Sequence, residues 1–178
     1  YSSGGVLWLA GEGALVLGHW GWHGPSPSIP SDTSMVCEEN LVGDLINAVG
    51  LLAQHAARAG AVGYLSVSAA LVSTKPMLIG QYRDRWQSQL DGTRPVPSST
   101  GRSEHTAPLD SFVMPGPDRV ALARLLALDL LSAFGMPEVQ QITAATEFVL
   151  DRFTNDRKTY VERWAASAGV PTVERLTT

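Results

Sequence analysis

Residues 81–86 read QYRDRW, so Arg83 and Arg85 alternate with Tyr82, Asp84 and Trp86 in one short run. Cations interleaved with π-faces can grip an anion or stack on a planar base, which makes Tyr82, Arg83, Arg85 and Trp86 the candidate ligand-binding residues. The same run also suits an edge strand whose arginines stay in water and pair with Asp84. His105, Asp110 and Ser111 supply the residue types of a hydrolase triad within residues 105–111. Triads converge from separated segments, however, and no G-x-S-x-G elbow positions a nucleophile here. No catalytic residue is assigned on this basis, and a small hydrolase or transferase built around His105 stands as the alternative to a binding role. A small-anion sensor using Arg83 and Arg85 is the other alternative.

The remaining chemistry-bearing residues lack the company that their chemistry needs. Cys37 is followed by Glu38 and Glu39, whose charge disfavours a thiolate, so the thiol is expected to be a small apolar filler. His19 and His23 have H-x3-H spacing, but a structural zinc site wants four ligands with paired cysteines, and Cys37 is the sole cysteine. No metal is expected. No phosphate loop of the G-x-x-x-x-G-K-[ST] type occurs, and Gly60-Ala61-Val62-Gly63 does not complete a dinucleotide fingerprint, so no cofactor is expected.

The elements that must position these residues follow from periodicity and punctuation. Residues 6–10 and 14–19 are β-favouring runs around Gly11-Glu12-Gly13, which predicts a hairpin. Residues 21–32, rich in Pro, Gly and Ser, predict an extended connection. A helix follows, with Thr33 or Ser34 as N-cap, Glu38 and Glu39 near its positive end, and Val42, Leu45, Ile46, Val49, Leu52, Ala53 and Ala56 at helical spacing up to Arg58 and Gly60. Residues 62–73 and 77–86 read as two adjacent strands joined at Thr74-Lys75-Pro76. Residues 88–104 hold almost nothing apolar and predict a mobile loop, after which 105–114 re-enter the sheet. Residues 142–153 have β character. Residues 156–169 close as an amphipathic helix with Tyr160, Val161, Trp164 and Ala168 on one face. The order β-β-α-β-β-β-α-β-α predicts an α+β domain of two layers, with about three helices on a mainly antiparallel sheet.

The sharpest element lies at 117–137. Pro117 suits a first helical turn, Asp118 favours the positive end of the dipole, and Gly135 with Pro137 stops the helix. Between these ends Arg124, Asp129 and Ser132 barely interrupt an apolar run, so the helix is either central to the core or half of an interface. Leu122, Leu126 and Leu130 are the residues assigned to such an interface with another protein or a second copy, giving a dimer.

At 178 residues, 44% of them hydrophobic, the chain has the size of one domain with a real core. Its formal net charge of −4 argues against a surface that neutralises phosphates, so no nucleic-acid partner is expected. A single cysteine fits a reducing compartment, and no run reaches the length of a membrane span, so a cytoplasmic protein is expected with no membrane partner. The chain opens on Tyr1 and reaches strand pattern by Val6, which reads as a fragment of a larger multidomain protein.

Finally, DLLSAFGMPEVQQI and the later YVERWAASAGVP resemble the carboxy-terminal part of actinobacterial proteins described as ATP-binding or transcription-regulator-like, with an amino-terminal AlbA/Schlafen-type domain. The resemblance covers about the last third of the chain and carries over no active-site residue. It implies an accessory domain of a multidomain bacterial protein. With the absence of a catalytic constellation, it favours a non-enzymatic accessory or partner-binding role.

Overall fold

The computed structural model describes residues 5–9, 15–19, 34–71, 77–84, 87–89 and 101–174. Helix α1 (Glu38–Arg58) spans 21 residues and carries Glu38 and Glu39 in its first turn and Arg58 in its last, complementing the helix dipole at both ends. Its cap differs from expectation. Ser34 belongs to strand β3 (Ser34–Cys37), and Cys37 occupies the N-cap in an extended conformation without a side-chain cap bond. Apolar residues continue through 35–37 into the helix, and Cys37, 4% exposed, is in the core where the first turn begins.

The hairpin at the start is present: β1 (Gly5–Leu9) pairs antiparallel with β2 (Leu15–His19). Strand β4 (Tyr64–Leu71) corrects the predicted neighbour relation. It pairs antiparallel with β7 (Gly101–Pro108), whereas β5 (Met77–Asp84) lies parallel to β3 and antiparallel to β6 (Gln87–Gln89). Burial explains the choice. On β4 the inward set is Leu65, Val67, Ala69 and Leu71, and β7 answers with Gly101, Ser103, His105 and Ala107, so the pair forms one half-buried face on the helices. Met77, Leu78 and Ile79 are buried in succession, as befits a parallel strand covered on both faces. The predicted loop at 88–104 is thus strand at both ends, and the part at 90–100 lies outside the described residues, as do 21–32. The strand expected at 105–114 starts earlier, at Gly101, and ends at Pro108, giving way to the short helix α2 (Asp110–Val113).

Helix α3 (Pro117–Ser132) has Pro117 in its first turn, and Gly135 takes φ +74 just past its end, where the N–H of Met136 bonds to Leu131 O at 3.1 Å. It packs along α1 and β7. Leu122, Leu126, Leu130 and Leu131 are all at most 4% exposed. Leu122, Leu126 and Leu130, assigned from sequence to an interface, lie buried within the chain's own hydrophobic cluster. Beyond α3 the expected strand shrinks to β8 (Phe148–Val149), followed by a single 3-10 turn at 150–152. Helix α4 (Asn155–Ala168) ends on Gly169 at φ +65, and β9 (Thr172–Val173), not foreseen from sequence, returns parallel to β8.

The fold is thus α+β, with antiparallel pairings β1–β2, β4–β7 and β5–β6 and parallel pairings β3–β5 and β8–β9. One hydrophobic cluster runs from Leu41 on α1 to Val170 beyond α4. Among the described residues no helix is long and apolar enough to cross a membrane.

Candidate functional site

The segment after α3 builds a concavity against α1. Thr143 and Glu147 close a tight turn in which the N–H of Thr143 bonds to Glu147 O at 2.9 Å and the Glu147 N–H bonds to Thr143 Oγ1 at 3.1 Å. Within it Thr146 takes φ +65. The turn delivers Phe148 into β8, where the N–H of Phe148 is held by Pro171 O at 3.0 Å. The following 3-10 turn then sets Phe153 on the same side. Phe148 is 2% exposed and meets Phe153 at a centroid distance of 6.0 Å and an interplanar angle of 70°, and Trp164 of α4 at 5.9 Å and 80°. Both are edge-to-face contacts, the arrangement that ring quadrupoles favour.

Opposite these rings α1 presents Val42, Gly43, Ile46 and Asn47, which recur at helical spacing on one stripe. Tyr160 and Val161 of α4 complete the wall. The hollow offers about 60 Å³, well below the roughly 300–1,000 Å³ of small-ligand pockets. Tyr160 is 61% exposed and forms the rim. No lining residue bears a formal charge; Asn47, the Tyr160 hydroxyl and the Trp164 indole N–H are the polar side-chain groups of the lining residues.

Two buried carboxylates fasten this segment to the start of α1. Glu38, fully buried, accepts the backbone N–H of Gln140 at 2.8 Å. Glu39, 4% exposed, accepts the N–H of Thr154 at 3.0 Å, at the N-cap of α4, and its Oε1 lies 3.5 Å from Arg157 Nε. Burial pushes the Glu39 carboxyl up from its ordinary value, and the Thr154 N–H, the Arg157 charge and the Thr154 hydroxyl pull partly the other way. Beside them the buried Cys37 thiol is pushed up to about 12, by desolvation first and by the Glu39 charge second, so it stays protonated and unreactive near neutral pH.

A second polar group joins β7 to α3. Asp129 Oδ2 accepts Ser103 Oγ at 2.8 Å and lies 2.8 Å from His105 Nε2. The partner of His105 is thus Asp129, which periodicity marked only as an interruption of the apolar helix, while Asp110 sits exposed at the start of α2. Chemically this is not the order of a nucleophilic triad. In a triad the imidazole lies between acid and hydroxyl; here hydroxyl and imidazole converge on one carboxylate oxygen, so Ser103 donates to the acid and gains no base. The group clips strand to helix. Arg119 is a further structural cation. It is 6% exposed, donates Nη2 to Phe112 O at 2.7 Å and Val113 O at 3.0 Å, and packs over Gly50 of α1.

Of the residues singled out from sequence, Tyr82 and Arg83 belong to β5, but their side chains, and the whole of Arg85 and Trp86, lie outside the described residues. His19 ends β2 and His23 lies outside them. Among the described residues no group of three or more His, Cys, Asp or Glu is placed to hold a metal ion. The aromatic concavity was half legible: Tyr160, Val161 and Trp164 share one helical face, but nothing in the sequence ties Phe148 and Phe153 to that face. Comparison with protein-family models, with curated proteins and with solved structures finds no match for this chain.

Proposed function

We propose that this chain is a non-enzymatic accessory domain of a multidomain protein from a reducing compartment, and that it binds a partner through the aromatic concavity between α1 and α4. The observation that supports the reading is the lining itself. Phe148, Phe153, Tyr160 and Trp164 converge around a space open to solvent, with Asn47 as the one amide beside them. Aromatic residues in a partly desolvated hollow are where binding energy concentrates at protein interfaces. The closed helix α3 offers no comparable surface, and the polar group at His105 holds no aligned nucleophile, so binding is favoured over hydrolysis.

The test is selection of a displayed peptide library on the whole chain. Enriched peptides that share an apolar anchor and lose at least tenfold in affinity for Tyr160→Glu support the reading, since Tyr160 stands at the rim and its replacement spares the core. Enrichment no better than on an unrelated protein, or binding indifferent to Tyr160→Glu, overturns it.

A further inference from the structure

Strand β4 has one hydrogen-bonded neighbour among the described residues, β7, so its other side is an edge. The ladder fixes which backbone groups stand on that edge. The N–H of Leu109 bonds to Gly63 O at 2.9 Å, one step before the pair of Tyr64 with Pro108. Antiparallel pairing alternates between bonded and non-bonded pairs, so Leu65, Val67 and Ala69 bond to β7. The N–H and C=O groups of Tyr64, Ser66, Ser68 and Ala70 therefore point away from it.

Proteins keep such edges single with charge, proline or a bulge. The eight residues of β4, YLSVSAAL, contain no charge and no proline, and their pairing with β7 runs without a register shift. By contrast β7 carries Arg102, Glu104 and Pro108, and β5 has Arg83 and Asp84 with a register shift toward β6. The helix layer also stops short of this edge. Helix α3 packs against β7 more than against β4, and the inward Leu65, Ala69 and Leu71 are only half-buried.

We infer that β4 pairs antiparallel with β4 of a second copy about a two-fold axis at Val67, joining two β4–β7 ribbons into one four-stranded sheet. An uncharged strand meets its own copy without repulsion. A two-fold at Val67 keeps inward residues opposite inward ones and sets large against small on both faces, Leu65 across from Ala69 and Tyr64 across from Ala70. Then β7 and its copy lie three strand spacings apart, about 14 Å. Packed helices need only about 8–10 Å between axes, so α3 has room beside its copy. This surface shares no residue with the aromatic hollow.

The whole chain is used for the test. Sedimentation from micromolar to millimolar concentration is expected to show a monomer–dimer equilibrium. Ser68→Pro deletes an N–H that β7 does not use, a place where an edge strand tolerates proline. It is expected to weaken the dimer about a hundredfold, because two N–H groups are lost across the two-fold, while Ser68→Ala leaves it unchanged. Amide hydrogen exchange on the wild type needs no variant to fold. The N–H groups of Ser66, Ser68 and Ala70 are expected to exchange more slowly as concentration rises, and those of Leu65 and Val67 to be slow throughout. A monomer at every concentration overturns the proposal: slow exchange at Ser66 and Ser68 would then show the edge covered by the chain's own residues, and fast exchange an edge left for another protein's strand. A dimer that persists in folded Ser68→Pro, or that forms without slowing exchange at Ser66 and Ser68, overturns it as well by placing the interface elsewhere.

Discussion

Helix α1 meets α3 and α4 in two different ways. Toward α3 the contact is apolar and closed: Val49 and Ala53 on one side and Leu126 and Ala127 on the other are fully buried. Toward α4 a few aromatic rings make the contact, and two carboxylates hold it at one end, where Glu38 and Glu39 take backbone N–H groups of Gln140 and Thr154. The first arrangement leaves no room and the second leaves a hollow. Close packing makes stability, whereas pinning through a few directional bonds spaces two elements apart without filling the gap. A hollow is therefore found where the chain used hydrogen bonds in place of side-chain interdigitation.

The largest break in this comparison comes from the closed side. Leu126→Ala removes a fully buried side chain, and about 2–5 kcal/mol of unfolding free energy is expected to be lost, read as a lower urea midpoint. Next is Gly50→Ala. A Cβ there runs into the Arg119 guanidinium, with Cζ at 2.6 Å, and Arg119 is held by the carbonyls of Phe112 and Val113. A loss of about 1–3 kcal/mol is expected from the forced shift, and Arg119→Met combined with Gly50→Ala should recover part of it in a double-mutant cycle.

The pinned side responds in the opposite sense. Gln141 is fully buried, and among the described residues neither atom of its side-chain amide has a hydrogen-bond partner. Gln141→Leu is therefore expected to raise stability by about 1 kcal/mol, because it removes a desolvated polar group without breaking a bond. A fall in the denaturation midpoint would show that the amide is satisfied after all.

The smallest effect concerns Glu39, whose folded pKa is raised by burial. A carboxyl of this kind binds its proton more tightly in the folded chain, so its contribution is most favourable below its unfolded value and declines as pH rises through the folded pKa. Glu39→Gln keeps an acceptor for the Thr154 N–H and removes the titration. The variant should gain on the wild type as pH rises from about 4 to 7, in paired urea denaturations at each pH. A constant difference across that range would sink the assignment.

What was legible in the sequence was local. The ends of α3 follow from Pro117, Asp118 and Gly135, and the span of α1 from its apolar spacing and its terminal charges, because capping, dipole and periodicity act within a few residues. The α+β class and the first hairpin are of the same kind. Pairing of distant elements was not legible: β4 reads as the neighbour of β5 in sequence, yet it pairs with β7, since either strand offers an apolar face and only the helix beneath selects one.

The candidate site divides along the same line. Periodicity on α4 gathers Tyr160, Val161 and Trp164, but Asp129 as the partner of His105, the carboxylate pins at 38 and 39, and the arrival of Phe148 and Phe153 beside Trp164 all join residues remote along the chain. By itself the sequence determined which segments are helix, which are apolar and where they stop, because those outcomes depend on near neighbours. Only the tertiary structure decided that α3 is core and that the hollow lies beside α4, because closing or leaving a space depends on how three separated segments fit together.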